Sequence, residues 1–296
     1  MKVFLNDTLV DADDAAIGIQ NAGFTHAVGL FETMAALHGR VFRLDAHLER
    51  LAASANMLGL ARDLRLEPLA DAIGQTLAAN QLEAARIRLT VTPGEVSLLQ
   101  QTDAVEPTPT VLVVATPPTA YDDSYFTAGV SVLIAPAAAN PMDAMAGHKT
   151  LNYWARLRAL RQAASVGAGE VIWMNISNHL AGGAISNLFI VKDQTLLTPI
   201  ARGEEVENAL PAPVLPGVTR AAIIEIAEER DIPVQRRMLD INDLLEADEV
   251  FLTNSSWQVL PVTKVEQKTI GEGAAGELTT RLRGDLLKRI DRECSE

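Results

Sequence analysis

The sequence predicts an α/β (α+β) fold in two domains, and three observations predict it. Apolar residues recur with the period of strands and with the period of helices in both halves of the chain. The 296 residues suffice for one large domain or two smaller ones with a well-buried core. A continuous apolar strand, Thr110 to Ala115, runs into Pro117-Pro118, so the boundary falls there. The expected division is a small N-terminal α/β domain over residues 1–117, a linker over 118–122 and a larger domain over 123–296.

The elements follow in order. The chain opens on two short strands around a turn at Asn6-Asp7. A helix capped by Asp45 carries Leu48, Leu51, Ala55 and Leu58 at helical spacing, and residues 67–79 repeat the pattern with Leu69, Ile73 and Leu77. Ile87, Leu89 and Val91 alternate with Arg86, Arg88, Thr90 and Thr92, the period of a half-buried strand, which ends at Pro93-Gly94. The second half begins with a strand from Val130 to Ile134. The small-residue stretch from Ala135 to Gly147 is too poor in large side chains to pack by itself. A helix carrying Trp154, Leu157 and Leu160 comes next, then strands at 170–175, 187–192 and 195–198. A helix from about Thr219 to Glu229, a strand from Glu249 to Thr253 and a helix carrying Leu278, Leu282 and Ile290 complete the chain.

Composition removes several classes of function. A formal net charge of −13 argues against nucleic acid and against anionic membrane surfaces, although a local arginine cluster can still bind an anionic substrate. The single cysteine, Cys294, cannot form an internal disulfide. No apolar run approaches the ~18 residues of a membrane span, and the first residues lack the apolar core of a signal peptide. These features predict a soluble, cytoplasmic protein whose partners are small molecules.

Six of the 25 basic side chains are lysines, and one of them, Lys149, has no charged neighbour in Gly147-His148-Lys149-Thr150-Leu151-Asn152-Tyr153. By itself a lysine is most often solvated, yet an amine in such company fits a partly desolvated Schiff-base former. Leu215-Pro216-Gly217-Val218-Thr219-Arg220 makes a tight turn before an apolar helix, whose first amides form an anion site by geometry and dipole. Taken alone, this segment reads more simply as an ordinary capped helix. Arg50 lies beside the buried face of its helix, suited either to solvent or to bidentate capture of a phosphate. Gly182-Gly183 suggests close backbone approach, and Thr253-Asn254-Ser255-Ser256 is a polar turn able to hold a carboxylate.

Together these blocks resemble the class IV aminotransferase family, the fold-type IV pyridoxal-phosphate enzymes that include branched-chain and D-amino-acid aminotransferases and aminodeoxychorismate lyase. The resemblance runs through Gly29-Leu30-Phe31-Glu32-Thr33, Arg43 to Leu51, Lys149 to Tyr153, Ile185 to Phe189, Leu215 to Arg220 and Ala247 to Asn254. It implies a small N-terminal domain, a larger C-terminal pseudo-barrel domain and a homodimer. It also implies that Lys149 carries pyridoxal 5'-phosphate as an internal aldimine and moves the catalytic proton. Arg50, Val218 and Thr219 match the phosphate cup, while Tyr153, Ser186, Asn187 and Ser255 match other cofactor contacts. Phe31, Arg88, Ser255 and Ser256 match the substrate side. The implied function is transamination between an α-amino acid and a 2-oxo acid. Aminodeoxychorismate lyase and a cofactor-binding homologue without turnover are the alternatives.

Two departures qualify the match. Pro93 stands where the D-amino-acid enzymes carry a carboxylate-binding arginine, which counts against that specificity. Gly182 stands where the family usually places the glutamate that pairs with the cofactor's pyridine nitrogen, so the electron sink is expected to be weaker unless another group substitutes. A glutamate returned to position 182 would either restore that pair or clash as a new buried carboxylate.

Overall fold

The computed structural model describes residues 1–95 and 108–296. The described chain divides into two compact units, each with its own sheet.

The first unit contains Met1–Thr119, His148–Asn152 and Ile290–Glu296. Its elements are β1 (Lys2–Leu5), β2 (Thr8–Asp11), α1 (Ala22–His26), β3 (Leu30–Leu37), β4 (Arg40–Val41), α2 (Leu44–Met57), α3 (Leu66–Ala79), β5 (Ala85–Thr92) and β6 (Thr110–Thr116). The strands form an antiparallel sheet in the order β2-β1-β6-β5-β3-β4. One face packs on the two long helices: Leu30, Met34, Ile87, Leu89, Val91 and Val113 meet Leu48, Leu51, Leu69, Ile73 and Leu77. The alternation of β5 therefore sends its apolar residues to the helices, and Arg86, Arg88 and Thr90 to the opposite face.

The second unit contains Ala120–Gly147 and Tyr153–Arg289. Its elements begin with α4 (Ser124–Thr127), β7 (Val130–Ala139), α5 (Trp154–Ser165), β8 (Glu170–Asn175), β9 (Leu180–Gly183), β10 (Asn187–Lys192) and β11 (Thr195–Thr198). They continue with α6 (Val218–Glu229), β12 (Val234–Arg236), α7 (Ile241–Leu245), β13 (Glu249–Asn254), β14 (Gln258–Val265), β15 (Lys268–Thr269) and α8 (Glu277–Ser295), whose residues from Ile290 onward belong to the first unit. The mixed sheet runs β12-β11-β10-β13-β14-β7-β8-β9, with β15 on β14. Edge strand β9 turns directly into β10 in the sheet's interior, and the Gly183 amide donates to the Ser186 carbonyl at 2.8 Å. That turn folds the edge of the sheet back on its middle, the curl of a pseudo-barrel.

Several expectations need correction. Asp45 does not cap α2: Arg43 occupies the N-cap with φ 53, and Asp45 lies in the first turn. Asp45 therefore complements the helix dipole instead of capping. Trp154 and Leu157 do not anchor α5; they are 70% and 47% exposed, and the helix buries Ala159 and Ala163. The small-residue stretch after Ile134 continues as strand to Ala139 through a register shift against β8. A single cut at 118–122 also misses two returns of the chain to the first unit. Residues 148–152 pair with β3 through Phe31 N–H to Lys149 O and Leu151 N–H to Gly29 O, both 2.9 Å. At the C-terminus, Asp291 meets His38 and Glu293 meets Arg43.

Candidate active site

Strand β3 organises the first unit's functional residues because its side chains alternate between faces. Phe31 points away from the helices and is 4% exposed. The Lys149 amine stands 4.4 Å from the centre of its ring, and the Arg88 guanidinium 3.8 Å from the same centre. Three of the expected residues thus meet at one aromatic side chain. The amine is a nucleophile for carbonyl carbon, and the guanidinium suits a carboxylate.

Glu32 points the other way, toward α2. It accepts from Arg50 Nε at 2.9 Å and Nη2 at 2.6 Å, and from His47 Nδ1 at 2.9 Å. Burial pushes the Glu32 carboxyl up, but the Arg50 charge and the His47 hydrogen bond outweigh it and hold the pKa at about 2. Burial lowers the pKa of His47 despite Glu32, which favours the neutral ring; its Nδ1–H, assigned from the network, then donates to the carboxylate. Arg50 is accordingly a fixed guanidinium with a side chain 10% exposed, held in orientation from beneath.

In the second unit the expected residues gather around the turn 183–186. Helix α6 starts at Val218 with Gly217 as N-cap and no side-chain cap, and Val218 and Thr219 are both buried. Asn187 donates from Nδ2 to Leu215 O at 2.8 Å, tying β10 to the turn before that helix. Ser186 donates its hydroxyl to Glu170 at 3.0 Å. Both side chains are therefore turned into the protein. Asn254 reaches Ile185 O at 3.4 Å, and its Oδ1 accepts from Ser256 N at 2.8 Å and Trp257 N at 3.0 Å, which shapes the loop holding Ser255 and Ser256. Beside this loop the Thr253 hydroxyl is buried without a hydrogen-bond partner. Tyr153 lies under Arg156, 5.7 Å from guanidinium carbon to ring centre. Arg220 is structural: it grips Glu204 with two bonds of 2.8 and 2.7 Å and anchors α6 to Pro199 O.

Gly182 is buried in β9 with φ +91, and a Cβ there would lie 3.0 Å from the Ser186 carbonyl oxygen. The backbone at 182 is thus shaped for glycine, and of the two outcomes expected for a glutamate the clash is favoured. The acid bonded to this turn is Glu170, from the start of β8, whose role sequence reasoning missed, as it missed those of Glu32, His47, Asn254 and Arg156. One signal was available: Glu32 and Glu170 are single carboxylates within or opening otherwise apolar strands.

Comparison with known proteins places this geometry. The model of the amino-transferase class IV family matches residues 29–265. A putative branched-chain-amino-acid aminotransferase of Methanocaldococcus jannaschii is 32% identical over 285 residues, 96% of this chain and 94% of that protein. The chain belongs to the class IV aminotransferases. The D-alanine aminotransferase of Listeria innocua is 27% identical, covering 100% of this chain and 98% of that one. Among solved structures, the branched-chain amino acid aminotransferase of Escherichia coli superposes with a TM-score of 0.87 at 26% identity, over 97% and 93% of the two chains. The 4-amino-4-deoxychorismate lyase of Pseudomonas aeruginosa gives 0.82 at 26% identity, over 97% and 98%. The fold-type IV architecture of this class IV enzyme is therefore established, and the proteins it resembles include both aminotransferases and a lyase.

Glu32→Gln leaves the Arg50 guanidinium without its buried counter-charge and should cost about 3–5 kcal/mol in urea unfolding. The depressed Glu32 pKa makes its contribution complete above the ordinary value of 4.5 and lost as pH falls toward about 2, so acid titration of the parent should show this loss and the variant should not. Gly182→Glu should destabilise by more than about 1 kcal/mol, because neither its φ nor its neighbour admits a side chain. A Gly182→Glu protein as stable as the parent would show that the turn adapts.

Proposed function

We propose that this protein is a pyridoxal 5'-phosphate-dependent aminotransferase that moves an amino group between an α-amino acid and a 2-oxo acid. The observation that carries this reading is the convergence of the Lys149 amine and the Arg88 guanidinium on the Phe31 ring. One can bond a carbonyl carbon, and the other can hold the carboxylate that every such substrate has.

The second unit fits a phosphate ester. The α6 amides start a helix that no side chain caps, and a buried threonine hydroxyl beside the Ser255 loop lacks a partner. The cofactor, when bound, supplies a reactive carbonyl and an electron sink for the α-carbon. Lys149 would hold it and would move the proton of the substrate's α-carbon. Val218 and Thr219 offer backbone N–H groups to the phosphate, and Arg50, its orientation fixed by Glu32, adds positive charge. Ser255 serves the phosphate or the substrate carboxylate, and Ser256 and Arg88 serve the carboxylate. Tyr153 supports the cofactor ring, and Ser186 and Asn187 shape its surroundings through their bonds to Glu170 and Leu215. The expected form is a cytoplasmic homodimer. No described helix is long and apolar enough to cross a membrane.

The test is a panel of amino donors and 2-oxo acids, with aminodeoxychorismate included, followed by the cofactor's absorbance. Amino transfer supports the reading. Release of 4-aminobenzoate and pyruvate would replace it with the lyase, and cofactor binding without turnover would replace it with a non-catalytic homologue. Borohydride reduction and peptide mapping should place the cofactor on Lys149, and labelling of another lysine would overturn the assignment. Arg88→Ala should lower kcat/KM by about tenfold to a hundredfold, the loss of one charged hydrogen bond to substrate.

A further inference from the structure

Glu170 opens β8, is fully buried, and has only hydrogen-bond donors around it. Its Oε1 accepts from Val171 N at 2.8 Å; its Oε2 accepts from Ile185 N at 3.2 Å and Ser186 Oγ at 3.0 Å. The Ala184 amide beside it donates to the Val171 carbonyl at 3.0 Å, which ties the turn to the same strand. No cation is paired with it among the described residues, so burial pushes its pKa up. A buried carboxylate neutralised only by dipoles is costly, and a serine or an apolar side chain would fill a strand start more cheaply. The turn is gripped from outside as well: Arg156 Nη1 donates to Gly183 O at 3.1 Å and to Ala184 O at 2.7 Å. The Ile185 amide thus faces the Glu170 carboxyl, and the Gly183 and Ala184 carbonyls face the Arg156 guanidinium.

The turn leads directly to the start of α6. Ser186, held by Glu170, precedes Asn187, which bonds Leu215 O. The Asn187 amide oxygen also packs so closely on Gly217 that a Cβ there would collide with it. The N-cap glycine of α6 is therefore seated against a side chain whose neighbour Glu170 fixes.

We propose that Glu170 is a positioning residue for phosphate recognition: through the 183–186 turn and Asn187 it sets the place and angle of the α6 amides. The inference rests on the reading of α6 as the phosphate-binding turn. It assigns the phosphate affinity partly to a carboxylate that does not touch the ligand, and it makes Asn187 the link between them.

Glutamine at 170 cannot preserve the arrangement. Both carboxylate oxygens accept from backbone amides, so either orientation of the amide group sets an NH2 against an N–H. The experiment titrates the full-length protein with pyridoxal 5'-phosphate and, separately, with pyridoxal, and takes the ratio of the two dissociation constants. In Glu170→Gln and in Asn187→Ala the preference for the phosphorylated form should fall about tenfold, the ordinary loss when a partner that orients a ligand-binding group is removed. Affinity for pyridoxal, which lacks the phosphate, should fall by less. A general loosening of the fold would weaken both ligands alike, and that result overturns the inference. A wild-type preference surviving intact in both variants also overturns it and leaves the functional reading standing. A wild-type protein indifferent to the phosphate overturns the functional reading and this inference with it. Should Glu170→Gln fail to fold, Glu170→Asp keeps the carboxyl group but withdraws it by one methylene, and the same ratio should fall.

Discussion

The alternation of β3 between two faces is the constraint on which the first unit's chemistry depends. Phe31 and Glu32 are adjacent, so they must point oppositely, one toward Lys149 and Arg88 and the other toward His47 and Arg50. The bridge from Leu30 to Thr150, with its flanking bonds from Phe31 and Leu151, sews the lysine segment to the same strand. A register slip of one residue would exchange the two faces and bury the amine's aromatic neighbour among the helices. The ion pair of Glu32 with Arg50 opposes such a slip, because the carboxylate would lose its buried guanidinium partner.

The second unit reaches comparable rigidity by a different route. The passage from β9 into its turn, Gly182, Gly183 and Ala184, has almost no side chain of its own to pack. Small residues let a backbone pass close to other groups, but they cannot fix its path. Fixity comes from side chains on other elements: Glu170 from β8, Arg156 from α5 and Asn254 from β13 all bond to this turn. Each bonds main chain, so the turn's conformation depends on donors and acceptors that every residue has.

This difference explains how much of the protein was legible. The alternation Ile87, Leu89, Val91 and the helical spacing of Leu69, Ile73 and Leu77 are local patterns, and the buried core contains all six. The lysine block and the α6 turn were legible as motifs because each is contiguous. What the sequence hid was contact at long range. The return of residues 148–152 to β3 depends on backbone bonds, which leave no mark in side-chain periodicity. The role of Asp45 depended on Arg43 adopting a left-handed conformation, for which arginine gives no sign. Glu170 serves a turn well removed from it in sequence, so only its oddity as a charge at the head of an apolar strand was visible.

Glu32 and Glu170 show how environment divides one residue type between two tasks. Both are at most 1% exposed. Glu32 faces a guanidinium, and the opposite charge overcomes desolvation; Glu170 faces amides and a hydroxyl, and desolvation wins. The signs of their pH linkage are therefore opposite. The stability from Glu32 is present above 4.5 and disappears as pH falls through about 2. That from Glu170, whose folded pKa is raised, is present below its ordinary value of 4.5 and is lost as pH rises through the folded value. His47, with its lowered pKa, joins Glu32 in resisting protonation. Acid therefore works against the network beneath the first unit's sheet and relieves the buried charge behind the second unit's turn. The cost of burying the Glu170 carboxyl against donors alone falls on the turn that leads to α6. Such a cost is retained where a fixed backbone matters more than stability, which is the condition expected of a helix start that must present its amides to an anion.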